Sequence, residues 1–204
     1  MKPLLAFVIL ALMTSSGTGQ VKQTDNTVFG NHLGEKFSVP ECARLKLGKS
    51  HVYKESDTVP CFERVLIRGE LPREINPVLN DTVMILFPLN QSPKIISGRK
   101  ITALVIDSNL EGVGFSTLGL QTQDQTLEAL RDKYGDPTSI TELKKQNAFG
   151  ASFDSHFAVW TFTNITVVFH GTTDRVDSGL VTADTKKGAD FRSEASKKSQ
   201  SVPF

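Results

Sequence analysis

The stretch SHFAVWTFTNITVVFH, from Ser155 to His170, decides the fold. With Thr163 and Asn164 as a two-residue turn, Phe162 falls opposite Ile165, Trp160 opposite Val167, and Ala158 opposite Phe169. Strand side chains alternate between faces, so these six residues share one face, and that face is wholly apolar. A slip of one residue would scatter them, which fixes the register. The stretch therefore predicts an antiparallel hairpin with one buried side and Trp160 in the core.

Upstream, Ile101–Ile106 is rich in β-branched residues and reads as a strand. Asp107-Ser108-Asn109 is turn chemistry, and Gly112-Val113-Gly114-Phe115 returns as its partner. Thr82–Phe87 and Phe62–Arg68 are further strand-like runs, separated by Pro72, Pro77 and Asn80-Asp81. Gly179–Ala183 is a last strand. One helix is expected between these groups. Leu127, Leu130 and Tyr134 fall on one face, Thr122 or Asp124 can cap its start, and Gly135 and Pro137 end it. Ile140–Lys145 reads as a second, weaker helical patch. The expected architecture is α+β: an antiparallel sheet of about five or six strands, with one principal helix packed on one face and one disulfide-stapled loop.

The N-terminus has the order of a secretory signal peptide: Lys2, an apolar run from Leu4 to Met13, then small and weakly polar residues through Gly19. Ten apolar residues are half of the roughly 20 that span a bilayer, so residues 1–19 read as a cleaved signal and not as a membrane anchor. Residues 20–184 are expected to form one exported domain, periplasmic or secreted, and the Lys- and Ser-rich residues 185–204 a basic, disordered tail. The chain carries a formal charge of +1, but five basic and two acidic residues lie beyond Thr185. The body before the tail is therefore mildly acidic, which speaks against nucleic-acid binding.

Cys42 and Cys61 are the only cysteines. In an oxidising compartment the pair reads as a disulfide closing a loop of irregular structure, a closure worth about 3 kcal/mol in the chain-entropy model. Two free thiols or a metal site are the competing readings, and the latter finds only His51 between them. His32, His51, His156 and His170 are scattered. In the hairpin register His156 and His170 project to opposite faces, so they read as surface or sheet-end residues. Sequons stand at Asn80, Asn90 and Asn164. Gly112-x-Gly114 lacks the third glycine and following helix of a dinucleotide loop and reads as strand packing. No nucleophile elbow, phosphate loop or zinc-protease signature occurs, so no catalytic, cofactor-binding or metal-ligating residue is assigned.

The segment Leu130-x-x-Lys133-Tyr134-Gly135-x-Pro137-Thr138 resembles the helix end of a small envelope module found in outer-membrane assembly lipoproteins and β-lactamase-inhibitor proteins. The segment Leu33-Gly34-x-x-Phe37-x-x-Pro40-x-Cys42 resembles uncharacterised exported proteins of Gram-negative bacteria. The chain departs from the lipoproteins in lacking a lipobox cysteine. The lack of a catalytic constellation, together with the resemblance, points to a non-enzymatic interaction module that binds a protein or envelope component through its loops and open sheet face. The competing reading is a cell-wall or carbohydrate-directed hydrolase using dispersed carboxylates. N-terminal sequencing of exported protein is expected to begin at or near Gln20, and retention of Met1 would overturn the signal-peptide reading.

Overall fold

A computed structural model describes residues 26–47, 50–64, 80–146 and 149–200. The expected signal peptide and its cleavage point lie outside the described residues. So do the continuation of the Phe62–Arg68 strand past Arg64 and the breaks at Pro72 and Pro77.

The elements are β1 (Thr27–Val28), β2 (Asn31–His32), β3 (Ala43–Leu47), β4 (Ser50–Lys54), β5 (Cys61–Arg64), β6 (Asp81–Leu86), β7 (Lys100–Ile106) and β8 (Asn109–Thr117). There follow α1 (Gln123–Tyr134), β9 (Ser139–Gln146), β10 (Ser152–Thr161), β11 (Ile165–His170), β12 (Gly179–Thr185) and α2 (Lys186–Gln200). Eight strands form one antiparallel sheet in the order β5-β6-β7-β8-β12-β11-β10-β9. That is eight strands where five or six were expected, and the main addition is β9.

The β10–β11 hairpin has the register read from sequence: Ala158 opposite Phe169, Trp160 opposite Val167, and Phe162 N–H bonding to Ile165 O at 2.9 Å. This row continues across six of the sheet's eight strands. Trp160, Val167, Ala183, Val113, Ala103 and Val83 stand side by side on six strands, and all six are buried. A face this apolar must be covered, and burying it supplies the main driving force for folding. Helix α1 covers it with Leu127, Leu130 and Tyr134. The β1–β2 hairpin adds Phe29, whose ring meets Phe115 edge-on at 5.1 Å.

Trp160 joins sheet and helix chemically as well. It is fully buried, and its indole N–H donates to Gly135 O at 2.8 Å, just past the end of α1. Gly135 has φ of 79°, a conformation that glycine reaches without a Cβ penalty. The start of α1 differs from expectation. Thr122 is the N-cap residue but its hydroxyl makes no capping bond, and a single 3₁₀ turn over Gly119–Gln121 leads in instead. The turn between β7 and β8 places both Asp107 and Ser108 at positive φ, the geometry of a tight hairpin twisted like its strands.

Three further expectations are corrected. Ile140–Lys145 is not helical but lies within β9. Ile140 and Leu143 imitate helical spacing, and β9, exposed along almost its whole length, has no buried face to impose alternation. The segment between the cysteines is not irregular: β3 and β4 form a hairpin of their own. The Lys- and Ser-rich segment after Thr185 is not disordered through Gln200 but forms α2, a second helix on the sheet's other face. Thr185 Oγ1 accepts a bond from Gly188 N–H at 3.1 Å, which caps the helix start. Gly188 lets the helix lie against β8, since a Cβ there would meet Glu111 O at 2.1 Å. Arg192 then pairs with Asp184 at 2.8 Å.

Cys42 and Cys61 form the expected disulfide, buried against Leu86. Among the described residues no helix is long and apolar enough to cross a membrane.

Trp160→Ala is expected to lower the unfolding free energy by about 3–5 kcal/mol, as for other large core truncations. In the native protein, tryptophan emission is expected to be blue-shifted and protected from iodide. Water-like, readily quenched emission would remove Trp160 from the core.

Candidate functional site

The residues singled out from sequence do not converge. Cys42 and Cys61 are consumed by their bond. His156 Nε2 lies 3.0 Å from Asp124 Oδ1 in the first turn of α1, a contact the sequence reading missed. His170 projects from the opposite face, its ring tilted against that of Phe157 with centroids 4.8 Å apart. Burial, and then the charge of Lys145, hold its imidazole below the usual value, which favours the neutral form. Ser155 is a buried hydroxyl spent on Thr172: it accepts the Thr172 N–H at 3.0 Å and pairs with Thr172 Oγ1 at 2.8 Å. Gly112 serves packing, because a Cβ there would meet Asp184 Oδ1 at 2.0 Å. Among the described residues no three His, Cys, Asp or Glu side chains are grouped to hold a metal ion.

Carboxylates gather in a pocket of about 350 Å³ beside the disulfide, lined by Glu41, Glu55 and Asp57. Glu41 Oε1 accepts from Arg44 Nη2 at 2.5 Å and from Tyr53 O–H at 2.7 Å. Burial works to raise its pKa, but these hydrogen bonds and the charges of Arg44 and Arg64 outweigh burial and hold it below the usual range. Glu55 is bridged to Arg99 at 2.6 Å. A glycosidase acid requires the reverse, a carboxyl raised enough to keep its proton near neutral pH. Asp184 is the one carboxyl clearly raised among the described residues. Burial is the cause, opposed by Arg192, and α2 covers it.

A larger feature is a groove of about 500 Å³ at the end of the sheet, where β8 leaves and β12 enters. Its walls are the turn after β8 and the loop between β11 and β12. The floor is polar and mostly neutral: Ser97, Ser116, Thr117, Gln121 and Ser178 line it, with the ion pair Arg175–Asp177 at one side. Thr117 is buried, and its hydroxyl has no partner among the described residues. The Arg175 guanidinium holds the Asp177 carboxyl below its ordinary value, so the pair is fully charged at neutral pH. Of the exposed large apolar residues, Leu118 lines the groove, and Leu120 and Val176 lie on the two segments that wall it.

Glycines set the shape of the groove. Gly119 has φ of 58°, and a Cβ there would lie 2.3 Å from Val176 O and 2.5 Å from Ser178 N. The two walls are then pinned by Leu120 N–H donating to Val176 O at 2.9 Å. Inside the second wall, Ser178 O accepts from Thr173 N–H at 2.7 Å and from the Thr173 hydroxyl at 3.1 Å. The loops are therefore preformed on a rigid sheet and do not lie free on the surface. A separate apolar cavity of about 150 Å³ lies beneath α1 between Phe29, Phe115 and Leu130. Small-molecule sites run to about 300–1,000 Å³, so this one reads as a packing gap.

Compared with known proteins, the chain matches no family model, no curated protein and no solved structure, so its site is read from its own geometry.

Gly119→Ala adds a Cβ against backbone at a positive φ. It is expected to destabilise the fold by more than about 1 kcal/mol and to raise hydrogen exchange at Leu120 and Thr173. Unchanged stability and protection would show that the two walls are not packed together.

Proposed function

We propose that the protein is a non-enzymatic binding module acting outside the cytoplasm, periplasmic or secreted, which holds a segment of another protein in the groove between the β8 turn and the β11–β12 loop. One observation carries this reading. Exposed Leu118 lines a floor of neutral hydrogen-bonding groups, and Leu120 and Val176 are exposed on the two wall segments, which are already locked together. Peptide backbone needs donors and acceptors without net charge, and its side chains need apolar contacts. The groove offers both, and preformed loops lower the entropy lost on binding. A sugar-binding surface would favour an aromatic platform, and among the described residues none lines this groove. The carboxylate pocket, with Glu41 and Glu55 tied to arginines, lends the hydrolase reading no acid of the required kind. The Cys42–Cys61 disulfide fits an oxidising compartment.

The test uses the exported chain carrying a photo-crosslinker in place of Leu118. The captured protein is then prepared pure and titrated calorimetrically. Leu120→Asp and Val176→Asp are expected to weaken that binding about tenfold or more, the scale of a residue contributing above 1 kcal/mol. Leu45→Asp on the remote β3–β4 hairpin is expected to leave it unchanged. Binding indifferent to positions 120 and 176, or turnover of a cell-wall polysaccharide by the purified protein, would overturn the reading.

A further inference from the structure

The two edges of the main sheet are treated differently. On the outer side of β5 runs the segment tied down by the disulfide: Cys42 N–H donates to Phe62 O and Phe62 N–H donates to Pro40 O, both at 2.9 Å. At the opposite edge β9 pairs with β10 alone. Its register on β10 is unbroken from Ser139 to Gln146, with no proline, glycine or bulge. Ile140 is 45% and Leu143 40% exposed. Soluble proteins normally blunt such an edge, because its outward N–H and C=O groups template pairing with another chain.

The sequence of β9 states which chain fits. When two copies join edge to edge about a two-fold axis, facing side chains lie on the same side of the joint sheet, so some residue must stand opposite itself. Centring on Glu142 sets carboxylate against carboxylate, and centring on Lys144 sets ammonium against ammonium. Centring on Leu143 sets Leu143 against Leu143 and Glu142 against Lys144 twice over, with Ile140 to Gln146 fully overlapped. Glu142 and Lys144 occupy one face, and within the chain they stand beside His156 and Asp154 of β10. Neither is in an ion pair among the described residues, so both are available to a second copy. Opposite charges directly across a strand pair are favourable and like charges unfavourable. The lysine that would guard the edge against other registers is matched in this one alone.

We propose that the protein forms a two-fold dimer by antiparallel pairing of β9 with β9 of a second copy, with Leu143 at the axis, giving one continuous sheet of sixteen strands. The inference is independent of the groove and of what the groove binds.

Sedimentation velocity on the full exported chain, over a range of concentration, tests it. A monomer–dimer equilibrium is expected. Glu142→Lys and Lys144→Glu singly should each raise the dimer Kd about tenfold or more, since each replaces two attractive pairs by two repulsive ones. The double variant Glu142→Lys with Lys144→Glu, which exchanges the charges, should restore the Kd to within about threefold. Loss of folding cannot produce that rescue, and blue-shifted Trp160 emission checks folding in each variant. Amide exchange along β9 should slow as the dimer fills. A chain that stays monomeric up to about 1 mM, including one whose β9 pairs only with a segment of another protein, overturns the proposal. So does a dimer indifferent to both single substitutions.

Discussion

The pairing of β12 with β8 is the constraint on which the rest of the structure depends. Strands β5 to β8 and strands β9 to β12 are each built from neighbours in sequence, and this one seam makes them a single sheet. The seam brings Val181 against Phe115 and Ala183 against Val113, so the apolar row begun by Trp160 runs on to Val83 without a gap. Glycine is required along it. Gly112 leaves space for Asp184, and a Cβ on Gly179 would stand 2.3 Å from Thr117 Oγ1. Without such close approach the strands could not pair, α1 would have half a sheet to cover, and the groove at the seam's end would have no walls.

The same seam explains where the molecule presents itself. One end carries the loops that frame the groove, held by Gly119 and by bonds to Val176 and Ser178. The inner face is closed by α1 and the aromatic residues around Phe29. The outer face is crossed by α2 where Asp184 and Gly112 meet, and Lys187 pairs with Asp107 on the β7–β8 turn at 2.7 Å. Burial at Asp184 raises its pKa while Arg192 opposes the rise, so this contact orients the helix more than it stabilises the fold.

What sequence showed and what it hid follow one physical rule. The hairpin at Trp160, the strands at Ile101 and Thr82 and the helix ending at Gly135 each bury one face, and burial writes periodicity into the residues. The disulfide was legible from the cysteine count and the expected compartment. Strand β9 buries almost nothing, so its Ile140 and Leu143 passed for a helical stripe. Helix α2 rests on a glycine, an arginine stem and a carboxylate, and its signal was the single threonine cap at Thr185. The groove was invisible because its residues lie in three segments brought together by the β8–β12 pairing, and each is an ordinary strand or loop residue on its own. The contact of His156 with Asp124 was hidden for the same reason.

The seam also has a consequence in time. A chain that emerges N-terminus first completes β8 long before β12 exists, with α1 and three strands in between. Until residue 185 is free, strands β5 to β8 form a half-sheet whose newest edge, rich in glycine, faces outward with no partner. Closing it demands a contact between distant parts of the sequence, which is slow relative to local hairpins. The interval between synthesis of β8 and arrival of β12 is therefore when this chain most needs shelter from other strands. A holding factor acting on the unfolded chain would serve it there, before β12 closes the seam.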